Sequence, residues 1–221
     1  MSSELKTVEV ETTPSPDAAV IWLHGLGANG HDFEPIVPEL RLPAQMGVRF
    51  IFPHAPQIPV TINNGYVMPA WYDILEMSID RKVDRVQLEA SAAAVSHLID
   101  REIERGIDSK RIIIAGFSQG GAVGYQVALT YPKPLGGLMP MSTYFATKDS
   151  IVTSEANQTL PIMVFHGTMD PVVPEALGQQ AVALLNERNY SVNYQTYPME
   201  HTVCMEQVTE ISSWLQARLA P

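Results

Sequence analysis

Six short runs of apolar and β-branched residues, separated by stretches of helix length, limit what this chain can fold into more than any other feature. AVIWL (19–23), VRFIF (48–52), RIIIA (111–115), LGGLMPM (135–141), PIMVF (161–165) and SVNYQTY (191–197) read as strands. Several of the central runs carry no polar residue on either side of the pleat, so both of their faces must be covered. Helix patterns lie between the strands. The clearest, at about 83–105, places Val83, Val86, Ala90, Ala94, Leu98 and Ile103 near one face and stops at Gly106. Others follow Gln119, Pro174 and Cys204. Strands alternating with helices predict an α/β fold, a mostly parallel central sheet with helices on both faces. LKTVEVE (5–11) alternates instead and reads as an outer antiparallel strand.

The chain has 221 residues, 46% of them hydrophobic, which suits a single domain over 1–221 with a sizeable core. One segment departs from the alternation. Residues 53–73, PHAPQIPVTINNGYVMPAWYD, hold four prolines, an Asn-Asn-Gly turn signal and three aromatics. That is too long for a plain connection and reads as a flap-like excursion, either a decorated surface loop or a wall facing substrate.

Charge and cysteine usage exclude several function classes. Lys and Arg number 14 against 24 Asp and Glu, a net charge of −10. Nucleic acid is not expected as a partner, because neutralising phosphates needs a basic surface, and anionic membrane is disfavoured for the same reason. The single cysteine, Cys204, allows neither an intrachain disulfide nor a Cys-rich zinc site, and no H-E-x-x-H spacing occurs. No metal and no cofactor is expected. MSSELKTVEVE lacks an apolar signal core, and no apolar run approaches the ~20 residues of a transmembrane helix. A cytoplasmic protein without a transmembrane segment is the expectation.

Chemistry enters at Gly116-Phe117-Ser118-Gln119-Gly120, a G-x-S-x-G directly between the RIIIA strand and the helical GAVGYQVAL. A strand–elbow–helix turn of this kind lifts a serine hydroxyl above the sheet at a helix N-terminus, with glycines where neighbouring Cβ atoms would not fit. A serine hydroxyl needs a base, and the base needs a carboxylate, in the chain order Ser, acid, His. Only His166 and His201 follow Ser118. His166 ends a strand and precedes the well-placed acid, so it reads as a packed histidine. His201, in YPMEHTV beyond the last strand, is the expected base. Asp170, in HGTMDPVVP just after a strand, is preferred as its partner over Asp149, which sits in the polar stretch TKDS. A tetrahedral intermediate also needs backbone N–H donors. Gln119, which follows the nucleophile, is one; Leu26, in the His24-Gly25-Leu26-Gly27 turn after AVIWL, is the other. His24 itself reads as structural.

Taken together, WLHGLGANGHDF, FPHAP, PAWYD, AGFSQGG, HGTMDPVVP and YPMEHTV resemble the phospholipase/carboxylesterase family of α/β-hydrolases, which includes acyl-protein thioesterases. The likeness is collinear over roughly 18–219. It implies an α/β-hydrolase fold and a metal-free serine hydrolase acting on esters or thioesters, with Ser118, Asp170 and His201 as triad and Leu26 and Gln119 as oxyanion donors. It also places Trp71 where this family lines its acyl pocket. Members commonly carry glycine before the histidine; Glu200 stands there in this chain. Beside the motifs, Leu26, Met68, Ile74 and Val172 are candidate walls of an apolar groove.

The expected activity is hydrolysis of carboxylic esters with short to medium acyl chains through an acyl-serine intermediate. The alternatives are an acyl-protein thioesterase or lysophospholipase with the same triad and, from another class, a non-catalytic binding protein on the same fold. Expected partners are a small or lipid-like ester and, under the first alternative, an acylated protein. Apolar loops near the site would suit a homodimer.

Overall fold

A computed structural model describes residues 4–76 and 81–220. In chain order its strands are β1 (Thr7–Glu11), β2 (Ala18–Leu23), β3 (Val48–Pro53), β4 (Gln57–Val60), β5 (Tyr66–Pro69), β6 (Ile74–Glu76), β7 (Lys82–Val83), β8 (Ile112–Phe117), β9 (Gly137–Met141), β10 (Ile162–Gly167) and β11 (Val192–Tyr197). The helices are α1 (Ile36–Glu39), α2 (Arg85–Glu104), α3 (Gln119–Thr130), α4 (Glu175–Glu187) and α5 (Met205–Leu219). Seven strands form one sheet in the order β1-β3-β2-β8-β9-β10-β11. Its outermost strand β1 runs antiparallel to β3, and the remaining pairs are parallel. This is the mostly parallel sheet that the strand and helix patterns predict, in the α/β-hydrolase arrangement that the resemblance implies.

Period-2 alternation explains why the central strands look apolar throughout. Ala19, Ile21 and Leu23 of β2 and Ile112 and Ile114 of β8 face one core, filled by Leu88, Ala92 and Val95 of α2, Ala122 and Val123 of α3, and Leu177, Ala181 and Leu185 of α4. Ala18, Val20 and Trp22, with Ile113 and Ala115, face the opposite core against Val37 of α1 and Ile211, Trp214 and Leu215 of α5. Met139 and Met163 belong to that second core as well. Each large aliphatic chain buried this way contributes roughly 1.5–3 kcal/mol. Helices therefore lie on both faces, as expected.

The buried face of α2 differs from the expected one. Leu88, Ser91, Ala92, Val95, Leu98, Ile99 and Glu102 point inward, whereas Val86 is 76% exposed and Ala90 is also exposed. Alanines at 90, 92, 93 and 94 spread over every side of the helix, so small apolar residues do not define its phase. Asp84 caps the N-terminus by accepting the Gln87 N–H (3.0 Å), and Gly106 ends the helix at φ +98°. Glu102 is buried because Arg49 of β3 and Arg101 and Arg105 of its own helix hold its two oxygens at 2.6–3.3 Å. An unpaired carboxylate there would be strongly destabilising.

The excursion is not a single loop. Residues 57–69 form the β4–β5 hairpin, its turn built on Asn64 and Gly65 with φ of 56° and 73°. Those dihedrals suit the Asn-Gly pair of a tight hairpin turn. Tyr66 and Val67 are 71% and 56% exposed. Ala70, Trp71 and Tyr72, by contrast, are buried in the core and are not surface loop.

Candidate active site

In a parallel sheet, ligands bind beyond the carboxyl ends of strands where successive connections leave in opposite directions. Here that point lies between β2, which is followed by β3 on one side, and β8 on the other. Leu23 pairs with Gly116, so the His24-Gly25-Leu26 turn and the Phe117-Ser118-Gln119 elbow emerge side by side.

The elbow is sterically closed. Ser118 has φ 54° and ψ −121°, a strained conformation for a residue with a side chain. Its N–H donates to Met141 C=O (2.9 Å), and its own carbonyl accepts from Gly121 N–H (2.9 Å) and Thr143 Oγ1 (2.6 Å). A Cβ at position 116 would come within 2.4 Å of the Gly120 oxygen, and one at 120 within 2.5 Å of the Leu23 oxygen. The glycines of G-x-S-x-G therefore serve packing against backbone, which holds Oγ where the helix begins.

Beyond the ends of β10 and β11 the sheet brings the other two residues to the serine. Ser118 Oγ lies 2.9 Å from His201 Nε2, and His201 Nδ1 lies 2.6 Å from Asp170 Oδ2. The neutral tautomer that fits carries its proton on Nδ1, donated to Asp170, leaving Nε2 to accept from the hydroxyl. The Asp170 side chain is fully buried, and its Oδ1 accepts from Val172 and Val173 N–H, both at 2.8 Å. Burial pushes this carboxyl up, but the His201 and backbone N–H bonds outweigh burial and hold it below the ordinary carboxylate value. Asp170 is thus a fixed anion. Phe117 packs on the imidazole with ring centroids 4.7 Å apart.

His166 is the second histidine beside Asp170, but it does not reach the serine. Its Nε2–H donates to Val173 C=O (2.8 Å), and that nitrogen is 3.8 Å from Asp170 Oδ2. Wholly buried, it is held below the usual histidine range by desolvation. Asp149 lines a neighbouring cavity.

The Leu26 and Gln119 N–H groups find no hydrogen-bond acceptor among the described residues, and both residues line the cleft over Ser118. Neighbouring bonds fix the Leu26 turn. His24 Nδ1–H donates to Gly25 C=O (2.7 Å) and its Nε2 accepts from Ala55 N–H (3.1 Å), while Gly27 N–H donates to Pro69 C=O (2.8 Å). Desolvation holds His24 below its ordinary pKa, so it stays neutral in this framing role.

The cleft over Ser118 has a volume of about 470 Å³. Leu26, Ile74 and Val172 line it, as do Ile62, Phe117, Tyr144 and Arg81, which sequence reasoning did not single out. Trp71 and Met68 do not line it. Trp71 is 1% exposed because its indole N–H donates to His24 C=O (2.9 Å) and its ring packs on the His24 ring at 5.2 Å. It is a buried brace beneath the Leu26 turn, not an acyl-pocket wall. Met68 lies on the hairpin, where its sulfur accepts from Asn63 Nδ2 (3.4 Å). The Gln119 side chain was also missed: its Oε1 accepts from Trp71 N–H (2.8 Å) and its Nε2 donates to Tyr72 C=O (2.6 Å), tying the end of the excursion to the elbow. Glu200 is exposed with an ordinary negative φ, so no glycine is needed before His201. Cys204 is half-buried at the start of α5. Among the described residues no cluster of three His, Cys, Asp or Glu could hold a metal ion, and no helix is long and apolar enough to cross a membrane.

Comparison with known proteins bears on the family and the fold. The family profile described as Phospholipase/Carboxylesterase matches residues 5–219. The chain is 38% identical to acyl-protein thioesterase 1 of Gibberella zeae, over 92% of each chain. It is 39% identical to acyl-protein thioesterase 1 of Neurospora crassa, over 91% of this chain and 87% of that one. Among solved structures, Zea mays acyl-protein thioesterase 2 superposes with a TM-score of 0.85 at 29% identity, covering 97% of this chain and 99% of the maize chain.

Proposed function

The chain belongs to the phospholipase/carboxylesterase family, and on that premise we propose that it hydrolyses carboxylic esters of short to medium acyl chains through an acyl-serine intermediate. The observation that carries this reading is the unbroken relay Ser118 Oγ–His201 Nε2 (2.9 Å) and His201 Nδ1–Asp170 Oδ2 (2.6 Å). His201 takes the Ser118 proton as Oγ attacks the ester carbonyl. Asp170 stabilises the imidazolium that forms and keeps its own charge. The N–H groups of Leu26 and Gln119 receive the oxyanion, aided by the positive end of α3. Protonated His201 then gives its proton to the leaving oxygen, and the ester bond breaks. Water, deprotonated by His201, attacks the acyl-serine and returns the enzyme with the free acid.

A thioester leaving group is the second reading, favoured by relatives and a solved neighbour that are named acyl-protein thioesterases. The triad chemistry is unchanged; only the atom that His201 protonates differs.

The test is Ser118→Ala with a fluorophosphonate probe and a substrate panel. Wild type is expected to be labelled at Ser118, and the variant to be unlabelled with kcat lower by about 10⁴-fold or more. A variant retaining a tenth of wild-type kcat would end the proposal. Comparing p-nitrophenyl esters, acyl-CoA and S-acylated peptides separates the two leaving groups.

A further inference from the structure

Next to the Ser118 cleft lies a second cavity of about 500 Å³. The two share only Arg81 and Tyr144 among their lining residues, so these side chains form the wall between them. Arg81 is held there from two sides. Its guanidinium lies 5.1 Å from the centroid of the Tyr144 ring, and it donates to the carbonyl of Val172, in the loop that carries Asp170. Tyr144 is itself buried, its hydroxyl bonded to Tyr72 at 2.7 Å. A cation stacked on an aromatic face and bonded to a backbone carbonyl is a defined position for an arginine.

The placement matters because of which part of a substrate faces it. His201 protonates the leaving group, so that group occupies the histidine side of the cleft. The acyl chain is left the rest of the cleft, whose apolar lining includes Leu26, Ile62, Ile74 and the Tyr144 ring. We propose that Arg81, seated on Tyr144 and bonded to Val172, ends the acyl groove and sets the longest acyl chain the enzyme accepts. This rests on the serine-ester reading above. A chain that reaches Arg81 must either stop or displace a cation that is stacked on a ring and bonded to a backbone carbonyl. Beyond that wall the second cavity has a mixed lining, with Val83, Phe145, Ala146 and Leu177 as its apolar part and Lys82, Arg85, Lys148 and Asp149 as its charged part, so a breached wall would offer an acyl chain further room and some apolar contact.

The experiment measures kcat/KM over a series of p-nitrophenyl esters from acetate to palmitate for wild type, Arg81→Ala and Arg81→Lys. In wild type, each added methylene should raise kcat/KM by up to about fourfold until the chain meets Arg81, after which the rate falls. Arg81→Ala should move that maximum to longer chains and raise the ratio of dodecanoate to butanoate rates by about tenfold or more. Arg81→Lys keeps a cation over the ring and should return the maximum toward the wild-type length. An unmoved maximum in Arg81→Ala, or an equal change at every chain length, overturns the proposal. Ser118→Ala, run alongside, separates the two readings. Activity surviving in that variant overturns the serine-ester reading itself, whereas an unmoved maximum with an inactive Ser118→Ala overturns the Arg81 wall alone.

Discussion

The elbow and the β4–β5 hairpin both border the cleft and both depend on glycine, for opposite reasons. At the elbow, glycine is required by space: Cβ atoms at 116 and 120 would meet backbone at 2.4–2.5 Å. At the hairpin tip, a Cβ added to Gly65 would have nothing within 4 Å, and what this glycine supplies is its φ of 73°. The elbow is a place where main chain packs on main chain. The hairpin is held by its own turn and by a few contacts, with Tyr66 and Val67 largely in solvent. Rigidity beside Ser118 thus comes from excluded volume, whereas the hairpin is shaped by local dihedral preference.

The sharpest way to part geometry from chemistry at the elbow side is to leave both glycine sets alone and change Asp170→Asn. Its backbone bonds from Val172 and Val173 can be kept by the amide oxygen, but His201 loses the anion that selects its tautomer. A fall in kcat of about 10⁴-fold with an intact fold is expected, as read by ester hydrolysis and circular dichroism. The same variant should lose part of the wild type's acid sensitivity. Asp170 has a lowered pKa in the folded state, so its stabilising contribution is present above the ordinary value of 3.8 and disappears as pH falls through the lower folded value. If denaturant midpoints below pH 4 fall as steeply in the Asn variant, Asp170 is not the group responsible.

Next in size is Gly120→Ala. The added carbon meets the Leu23 and His24 carbonyl oxygens, so the strand end or the helix start must move, at a cost of about 3 kcal/mol in unfolding free energy and with loss of activity. A variant as stable and as active as wild type would remove the excluded-volume account of the elbow. The smallest effect is expected at the hairpin. Gly65→Ala should destabilise by only about 1 kcal/mol, from the positive φ alone, and Gly65→Asn by less, because asparagine tolerates that region. Equal losses for the alanine and asparagine variants would show that something other than φ governs the turn.

These contrasts also explain what could be read from the chain beforehand. The strands were legible because burial on both faces leaves central runs such as AVIWL without a polar position, a pattern few other environments produce. Ser118, Asp170 and His201 could be picked out because each follows a strand end in the order the elbow requires, and the sheet brings them into hydrogen-bonding distance. The inward side of α2 was not legible, since its alanines leave the phase open and its most buried polar residue is the ion-paired Glu102. Trp71 was misplaced for a related reason: an apolar ring with one N–H fits a pocket wall or a core equally well, and only the neighbouring His24 carbonyl decides. The bonds of the Gln119 side chain and the seat of Arg81 on Tyr144 join segments distant in sequence, so no local pattern announces them.

The same topology has a kinetic corollary. Ser118 and His201 are 83 residues apart, His201 and Asp170 are 31 apart, and Leu23 must find Gly116 across nearly half the chain. Parallel pairings of this kind close long loops before contacts reward them, which makes them slow steps in folding. A hydrogen-bonded triad can therefore exist only after the central sheet has closed on both sides of β8. During refolding, the first turnover marks the end of assembly, since no collapsed intermediate with the right helices but an unpaired β10 or β11 can hold the imidazole over the serine.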